Sequence, residues 1–508
     1  METLQAINPV TGDVIDEFQR SHPEEVTKAV INSRRSFENW STLSVEIRVK
    51  YLKAIRSNIM SNLDEYALII SKDTGKVLTE SLMSDILPTL DFIRYYEKNT
   101  EKFLKSKKRN TPLSFQGGKS FITYQPLGVI GIIAPWNFPF QLSMIPVITA
   151  LAAGNTVVIK PSNETPTIGA LIERIIIESG LPEGVVQVVQ GGREVVSALI
   201  DAKPNKIFFT GSVATGRKIM EQASKHLIPV ELELGGKDPM IVLEDANIDR
   251  AVEGALYGAF ANSGQVCVSV ERLYLQENIA EEFIRKLTER VKQLNIGSGK
   301  NNDIGAMTTS DQIEHVKNQI NAAVKMGAKL ITPLKIENNF IHPVVLSNVN
   351  HQMEIMTEET FGPVLPIMTF DRIEEALRLA NDSDYGLNAS IWTKDTARGE
   401  KIATKLVTGN VMLNDVLRNV GNPDLPYGGY KDSGVGKYHG PEGLYSFSRE
   451  TSVMVNKGKS NREANWFPYS TKKYEGLTEL LKTLNEDKSL LRKGGALLKI
   501  AKKLKEID

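Results

Sequence analysis

The sequence predicts an α/β fold built from two successive α/β lobes, and three observations support this prediction. The chain has 508 residues, which exceeds the size at which a single core stops growing. Apolar, β-rich runs alternate with helix-length segments between residues 128 and 234, and a similar series follows between residues 271 and 415. Such β-α-β repetition implies parallel sheets covered by helices, with ligands bound at the carboxyl ends of the strands.

The individual elements follow from hydrophobic periodicity. From Ser21, a predicted N-cap, to Lys108 the apolar spacing is mostly helical, with Gly75 as a stop signal. The predicted strands of the first lobe are GVIGIIA, NTVVIK, GVVQVVQ, KIFFTG and PVELEL, with helices at 165–180 and 214–226 between them. The predicted strands of the second lobe are ERLYLQE, HPVVLSNV, VLPIMTF, NASIWTK and GNVMLND.

Composition excludes several classes of protein. Lys and Arg total 61 and Asp and Glu total 61, so no global field attracts nucleic acid. A single cysteine excludes an intramolecular disulfide and a Cys-rich metal cluster, and we expect no metal site. The beginning of the chain lacks a basic-then-apolar signal, so the cytoplasm is the expected compartment. Residues 127–160 are apolar enough to suggest a membrane span, but three prolines and Asn137 divide them, which favours a buried core.

The C-terminal segment predicts a basic amphipathic helix. Its apolar face carries Leu497, Ala501 and Leu504, and the opposite face carries Lys499, Lys502, Lys503 and Lys505. One interpretation is a helix that packs on its own protein or on a second subunit. The other is an interfacial helix that contacts anionic lipid.

Nucleotide-binding patterns are present only in an unusual form. The runs GSGKNN and GVGKYH lack features of a P-loop, and no G-x-G-x-x-G follows the first strand. Gly211 does follow a strand, and Ser212 to Gly216 opens a helix whose amides suit a pyrophosphate, although such turns are also common N-caps. Lys160 ends another strand, where it suits a ribose or phosphate oxygen unless it is a surface lysine.

Three further residues are candidates for chemistry. Cys267, between Val266 and Val268, is either a small buried hydrophobe or a nucleophile, and the second role requires thiolate character. Glu233 ends an apolar strand before a Gly-Gly turn, where a costly buried carboxylate is either a base with a raised pKa or a structural acid. Asn137 follows a strand and is either an oxyanion donor or a turn residue between prolines.

Together and in this order, these segments resemble the aldehyde dehydrogenase superfamily over nearly the whole chain. The resemblance rests on PWNFP, KPSNETP, FTGSVATG, LELGGKDP, GQVC, EETFGPVLP and PYGGYKDSGVGKYHGPEGL. The runs NPDLPYGGYKDSGVGKYHG and NWFPYS look most similar to the branch that handles apolar, medium- to long-chain aldehydes. The resemblance implies an NAD(P)-binding domain at 1–110 and 127–235, a catalytic domain at 236–430, a small β oligomerisation arm at 111–126 and 449–458, and a basic extension at 461–508.

The resemblance also implies the roles of the site residues. Cys267 would be the nucleophile, Glu233 the general base, and Asn137 the oxyanion donor together with the Cys267 amide. The thioester left after hydride transfer requires an activated water, so a base at Glu233 favours hydrolysis to the acid over transfer to coenzyme A. The implied cofactor-binding residues are Trp136, Lys160, Ser162, Asn163, Gly211, Ser212, Gly216, Glu359 and Phe361.

The sequence specifies the substrate and the cofactor only in part. Asn163 stands where many NAD-preferring relatives carry glutamate, so both NAD and NADP stay open. The entrance of the substrate tunnel falls on Phe138, Met144, Ile145, Val266 and Val268, all of them apolar, which favours a hydrophobic aldehyde. The roles of two arginines stay open. Arg418 suits the carboxylate of a semialdehyde or is a solvated loop residue, and Arg449 stands where some relatives have an acid.

We therefore predict an NAD(P)-dependent aldehyde dehydrogenase that acts on apolar aldehydes, with a semialdehyde dehydrogenase as the alternative. A catalytically silent binding or structural member of the fold is the alternative from another class, and the presence of nucleophile, base and oxyanion donor argues against it. The arm predicts a homodimer or homotetramer. The basic tail either packs on the protein or on a second subunit, or makes a peripheral membrane contact.

Overall fold

The computed structural model describes residues 3–112, 118–459, 461–463, 465–487 and 494–500. The chain forms two compact units, Met1–Ser106 with Thr123–Thr451 and Lys107–Ile122 with Ser452–Asp508. Within the described ranges, no helix is long and apolar enough to cross a membrane. The apolar region 127–160 is divided as predicted, into strand Val129–Ile133, helix Gln141–Ala153 and strand Thr156–Lys160.

The first unit opens with a two-stranded antiparallel pair, Thr3–Ile7 and Val14–Gln19, which precedes the predicted helical section. Gly75 ends one helix at φ 81°, as predicted. Ser21 is not an N-cap, because His22 occupies that position and forms a capping box with Glu25. The helices of the section are Pro23–Trp40, Val45–Ser61, Leu63–Thr74, Leu78–Glu80 and Leu87–Leu104, with a π-helical turn at Ser81–Ile86.

A six-stranded sheet forms the first lobe and contains all five predicted strands. In order across the sheet the strands are Gly434–Val435, Val230–Glu233, Lys206–Thr210, Val129–Ile133, Thr156–Lys160 and Val186–Val188. All pairs are parallel except that of the short edge strand Gly434–Val435. The interior strands are buried on both faces, which explains their continuous apolar sequences. The helices that follow in the chain are Pro166–Glu178, Arg193–Asp201 and Val213–Ser224.

A seven-stranded sheet forms the second lobe and again contains the five predicted strands. Its order is Lys329–Leu330, Val344–Ser347, Val364–Phe370, Val270–Gln276, Asp238–Val242, Asn388–Trp392 and Asn410–Leu413, and only the first pair is antiparallel. Two-residue strands pair at Ile336–Glu337 with Phe340–Ile341 and at Tyr385–Gly386 with Tyr430–Lys431. The helices are Ile248–Phe260, Glu277–Val291, Ser310–Lys325, Glu354–Thr357, Ile373–Asn381 and Thr396–Ala403, with 3₁₀ turns at Ala261–Gly264 and Arg418–Gly421. The later helix Gly440–Ser446 packs instead on the helices Leu87–Leu104 and Gln141–Ala153.

The predicted arm forms part of a three-stranded sheet. Its strands are Ser448–Val455, Lys119–Pro126 and Lys107–Arg109, in that order. The second unit also contains helix Thr471–Leu484, and residues 494–500 are helical. Of the predicted C-terminal amphipathic helix, Ala501, Lys502, Lys503, Leu504 and Lys505 lie outside the described residues. The predicted domain boundaries and the role of the arm in oligomerisation stay predictions.

The Gly-Gly turn after the first lobe brings the two lobes of the first unit close together. A β-carbon on Gly235 would lie 2.3 Å from a carboxylate oxygen of Glu359, and one on Gly236 would lie 2.5 Å from the carbonyl oxygen of Cys267. Side chains at these two positions would therefore push Glu359 and the Cys267 loop away. The turn requires glycine because of this close approach.

Candidate active site

The thiol of Cys267 lies where two cavities meet. One cavity, of about 300 Å³, is lined by Cys267 together with Asn137, Glu233 and Glu359. The other, of about 1050 Å³, is lined by Cys267 together with Phe138, Val266 and Val268. Cys267 is half-buried, whereas the valines on either side of it are buried. The lone cysteine is thus reachable from two sides rather than sealed in the core.

An unusual backbone turn presents this cysteine. Asn262, Ser263 and Gly264 have φ values of 50°, 57° and 72°. This left-handed backbone conformation is uncommon for residues other than glycine. The carboxylate of Glu80 accepts the backbone N–H of Asn262 at 2.6 Å, and Ser263 donates to the carbonyl of Gly305 at 2.8 Å. These contacts hold a strained turn directly before Cys267, the predicted nucleophile, as is common at functional sites.

The surroundings of Cys267 favour the neutral thiol. Burial and the nearby carboxylates of Glu359 and Asp238 raise its pKa to about 12, while the hydroxyl of Tyr427 acts in the opposite direction. The Tyr427 hydroxyl lies 4.0 Å from the sulfur, within reach of a weak hydrogen bond. The acids therefore oppose the thiolate character that a nucleophilic cysteine requires, whereas the Tyr427 hydroxyl, which no sequence pattern indicates, favours it.

Glu233 ends its strand as a buried acid beside the cysteine. Its side chain lines the smaller cavity, and among the described residues neither carboxylate oxygen has a hydrogen-bond partner. Burial and the charge of Glu231 raise its pKa well above the ordinary value, and Lys437 lowers it only in part. An unpartnered buried carboxyl of this kind has the proton affinity that a general base requires near neutral pH.

Asn137 is held by a network that the sequence did not reveal. Its backbone carbonyl accepts from Lys76 at 2.8 Å and from Asn262 at 3.1 Å. Its side-chain amide donates to the carbonyl of Gln265 at 3.0 Å, within the Cys267 loop. An amide nitrogen carries two hydrogens, so one of them is left for a substrate oxygen. Asn137 lines the same cavity as Cys267 and Glu233.

Lys76 is fully buried and paired with a buried acid. Its ammonium lies 2.6 Å from Asp85, and both side chains are 0% exposed. Asp85 also accepts the backbone N–H groups of Phe140 and Gln141, and the ammonium lies 4.3 Å from the ring centre of Phe138. The pair thus fixes the turn that carries Asn137. The segment reads as an ordinary amphipathic helix in the sequence, so no pattern distinguishes these charges from surface ones.

A second buried network positions the segment 359–361. Glu271 accepts the backbone N–H groups of Thr360 and Phe361, both at 2.8 Å, and the ammonium of Lys237 at 2.6 Å. Phe361 has a φ of 50° and its ring lies edge-on to Trp136 at 5.4 Å. The Glu359 carboxylate accepts the N–H of Gly236 at 3.1 Å, and burial raises its pKa to about 8. The sequence signal for this network is Lys237, which lies within the LELGGKDP motif.

Five of the predicted cofactor residues line the smaller cavity. They are Trp136, Gly211, Ser212, Glu359 and Phe361. Ser212 caps the helix Val213–Ser224, accepting the N–H of Thr215, so the amides of the first turn lie at this edge of the sheet. The hydroxyl of Thr210 is buried there without a partner among the described residues. A cavity with free polar groups and a helix N-terminus fits a dinucleotide.

The other four predicted cofactor residues do not line this cavity. Lys160 ends its strand as predicted and is buried, which lowers its pKa to about 8. Ser162 is buried and Asn163 is exposed, with its amide donating to Glu164 at 2.8 Å. Gly216 is buried in the helix, where a β-carbon would lie 2.7 Å from Leu234. Their contacts with a cofactor stay predictions.

The larger cavity matches three of the five predicted substrate residues. Phe138, Val266 and Val268 line it, as does Leu142, whereas Met144 and Ile145 do not. Met144 and Ile145 are 0% exposed and belong to the hydrophobic core beneath. That prediction was wrong because helix Gln141–Ala153 is apolar all round, so its sequence does not show which face borders a cavity.

The charged groups of the larger cavity are few. Those that line it are Asp91, Asp415 and Arg418. Arg418 forms an ion pair with Asp415 at 3.3 Å, and its side chain is 77% exposed. Arg449 contacts Gln125 through a short hydrogen bond. Arg449 lies on the strand Ser448–Val455, and its contact with Gln125 does not indicate a role in proton transfer.

Comparison with known proteins agrees with this geometry. The aldehyde dehydrogenase family model matches residues 1–453. The chain is 45% identical over 495 residues to 4,4'-diapolycopene aldehyde oxidase from Methylomonas sp, covering 97% of this chain and 93% of that protein. The chain belongs to the aldehyde dehydrogenase family. It is thus an oxidoreductase that acts on an aldehyde group with NAD or NADP, and the predicted fold and family are confirmed.

Further relatives of this aldehyde dehydrogenase differ in substrate and cofactor. A Mycobacterium bovis protein, named provisionally as succinate-semialdehyde dehydrogenase [NADP(+)] 2, is 35% identical and covers 88% of this chain and 87% of its own length. The crystal structure of NAD-dependent aldehyde dehydrogenase from Sinorhizobium meliloti superposes with a TM-score of 0.88 at 32% identity, covering 92% of this chain and 93% of that one.

Proposed function

We propose that this aldehyde dehydrogenase oxidises a long, apolar aldehyde to its carboxylic acid, with Cys267 as nucleophile. The single observation that carries the proposal is the position of Cys267, which lines both the smaller cavity, together with five of the predicted cofactor residues, and the larger cavity, together with Phe138, Val266 and Val268. The larger cavity, of about 1050 Å³, is at the upper end of the range for small-molecule sites. A relative named for the oxidation of 4,4'-diapolycopene aldehyde supports an apolar substrate.

The residues around the thiol suit each step of the reaction. The sulfur of Cys267 forms a bond to the aldehyde carbon, and its proton leaves to solvent. The second N–H of Asn137 and the Cys267 amide stabilise the resulting alkoxide; losing one such donor costs about a hundred- to thousand-fold in rate. Trp136, Gly211, Ser212, Glu359 and Phe361 of the smaller cavity would hold NAD or NADP, which would supply the hydride acceptor that this oxidation requires. Glu233 then takes a proton from the water that attacks the thioester, and the acid leaves as Cys267 regains a proton.

A semialdehyde is the second candidate substrate, and Arg418 is the group that would recognise its carboxylate. Arg418 lines the larger cavity, and one relative is named for succinate semialdehyde. However, Asp415 already pairs with Arg418, which offsets the attraction for a second carboxylate. Phe138, Val266 and Val268 line this cavity together with Cys267, and their apolar side chains favour the uncharged substrate.

Initial rates on linear aldehydes of increasing length, each with NAD and with NADP, test the proposal. We expect kcat/KM to rise with chain length and to exceed that for succinate semialdehyde with either cofactor. The Cys267→Ala variant should lose turnover while it still binds the cofactor, as measured by fluorescence titration. Normal turnover in this variant would contradict the mechanism, and no turnover by the unaltered protein on any aldehyde would support the silent member of the fold.

We also propose that the arm, 111–126 and 449–458, joins two copies of the chain into a homodimer or a homotetramer. The strand Ser448–Val455 has one sheet neighbour, Lys119–Pro126, so its other edge is available for pairing within the described part of the sheet. Light scattering after size-exclusion chromatography measures the number of subunits, and a monomer at micromolar concentration would contradict the proposal.

We further propose a cytoplasmic protein with a peripheral membrane contact.

A further inference from the structure

The second unit exposes four aromatic side chains within nine residues. Trp466 is 55% exposed, Phe467 74%, Tyr469 67% and Tyr474 74%. The ring centres of Phe467 and Tyr469 lie 4.7 Å apart, so these two rings form one exposed patch. We call residues 466–474 the aromatic segment. Contiguous exposed apolar patches of this kind mark interaction surfaces, whereas single exposed residues are normal.

The aromatic segment has a defined local structure. Ser470 accepts the N–H of Lys473 and thereby caps the helix Thr471–Leu484. The ammonium of Lys473 donates to the backbone carbonyls of Trp466 at 2.5 Å and Pro468 at 3.4 Å. The chain before the helix is therefore folded back against the first helical turn. The aromatic side chains are displayed on an ordered turn, which lowers the entropy lost when they bind a partner.

Positive charge is concentrated in the same unit. Residues 107–122 and 452–508 contain 17 lysines and arginines against 7 aspartates and glutamates, a net charge of +10. The whole chain has a net charge of zero, so the other unit carries the opposite excess. Lys457, Lys459, Arg462 and Lys472 are exposed close to the aromatic segment in the sequence.

We propose that the aromatic segment and the positive charge of the second unit bind the surface of an anionic lipid bilayer. Tryptophan and tyrosine favour the interface between water and hydrocarbon, and lysine and arginine are attracted to anionic headgroups. Lysine is depleted from protein–protein interfaces, so this mixture fits lipid better than a second copy of the chain. The inference deepens the proposed function, because long apolar aldehydes partition into bilayers and an enzyme at the surface meets them there.

Vesicle sedimentation of the full-length protein tests the proposal. The protein is mixed with vesicles of phosphatidylcholine, with or without phosphatidylserine, at low and high salt. We expect it to sediment with the phosphatidylserine vesicles at low salt, and much less with the others. Lys472→Gln should weaken this binding about fivefold, the effect expected for one cation near the surface.

A double variant, Trp466→Ser with Phe467→Ser, should weaken the binding by at least tenfold. Ile177→Ser is the matched control, because Ile177 is 69% exposed in the other unit, and it should sediment like the unaltered protein. Turnover of a short, water-soluble aldehyde should be unchanged in all three variants, which separates this test from that of Cys267. Unchanged sedimentation of the double variant would overturn the proposal, as would a shift of the double variant to a smaller oligomer with no loss of vesicle binding.

Discussion

Replacement of Glu233 by glutamine tests the assignment of the base most directly. Glutamine keeps the size of the side chain but cannot accept the proton of the attacking water. A positioned general base contributes about a hundred- to ten-thousand-fold to such a step. Because the proposed role of Glu233 comes after hydride transfer, the first turnover should survive. We expect steady-state kcat to fall within that range while each active site still releases one equivalent of reduced cofactor.

The same substitution should make the protein more stable, and this effect depends on pH. The folded protein raises the pKa of Glu233 through burial, and its carboxylate lacks hydrogen-bond partners among the described residues. Above the pKa of the unfolded chain, about 4.3, the unfolded state releases this proton while the folded state retains it. The free energy of unfolding therefore falls by about 1.4 kcal/mol per pH unit from this group, until the pH reaches the folded pKa. Glutamine removes that loss.

Two measurements check these expectations. Stopped-flow absorbance of the reduced cofactor gives the amplitude of the first turnover and the later steady rate. Thermal melting between pH 4 and pH 8 should show no difference between the Glu233→Gln variant and the unaltered protein at the acid end, and a growing advantage of the variant as the pH rises. Loss of the first turnover, or an advantage that shrinks as the pH rises, would refute the reasoning.

Three more substitutions have defined outcomes. Lys76→Met should lower the free energy of unfolding by about 3–5 kcal/mol, because it leaves Asp85 buried without its partner. Lys76→Arg should restore stability in denaturant unfolding and kcat in kinetic assays. A normal kcat in Lys76→Met would show that Asn137 does not depend on this pair. Tyr427→Phe should shift the pH dependence of Cys267 alkylation to higher pH, whereas Tyr430→Phe, at an exposed site, should not. Asn163→Glu should lower the ratio of kcat/KM with NADP to that with NAD by about fivefold to several hundredfold, which corresponds to a repulsion of about 1–4 kcal/mol between the new carboxylate and the 2′-phosphate. An unchanged ratio would place Asn163 away from the ribose.

The sheets and their connections could be predicted because the physical signal is local. A parallel strand buried on both faces requires a continuous apolar run, and the helix between two such strands requires the 3.6-residue spacing. These requirements act within about ten residues of chain, so KIFFT and TVVIK reveal their structure without knowledge of their neighbours. The same holds for strand ends, which is why Glu233 and Lys160 could be placed correctly.

The chemistry around the thiol depends on contacts between distant parts of the chain. Lys76 reaches Asn137, and Glu80 reaches Asn262, across 61 and 182 residues of sequence, and neither pair leaves a periodic signal. The error at Met144 and Ile145 has the same origin, because an all-apolar helix is compatible with any orientation towards a cavity. Residue types and motifs predicted which groups do the chemistry. Packing specified which of them are buried, what holds them, and how far their pKa values move, because desolvation depends on every neighbour that excludes water.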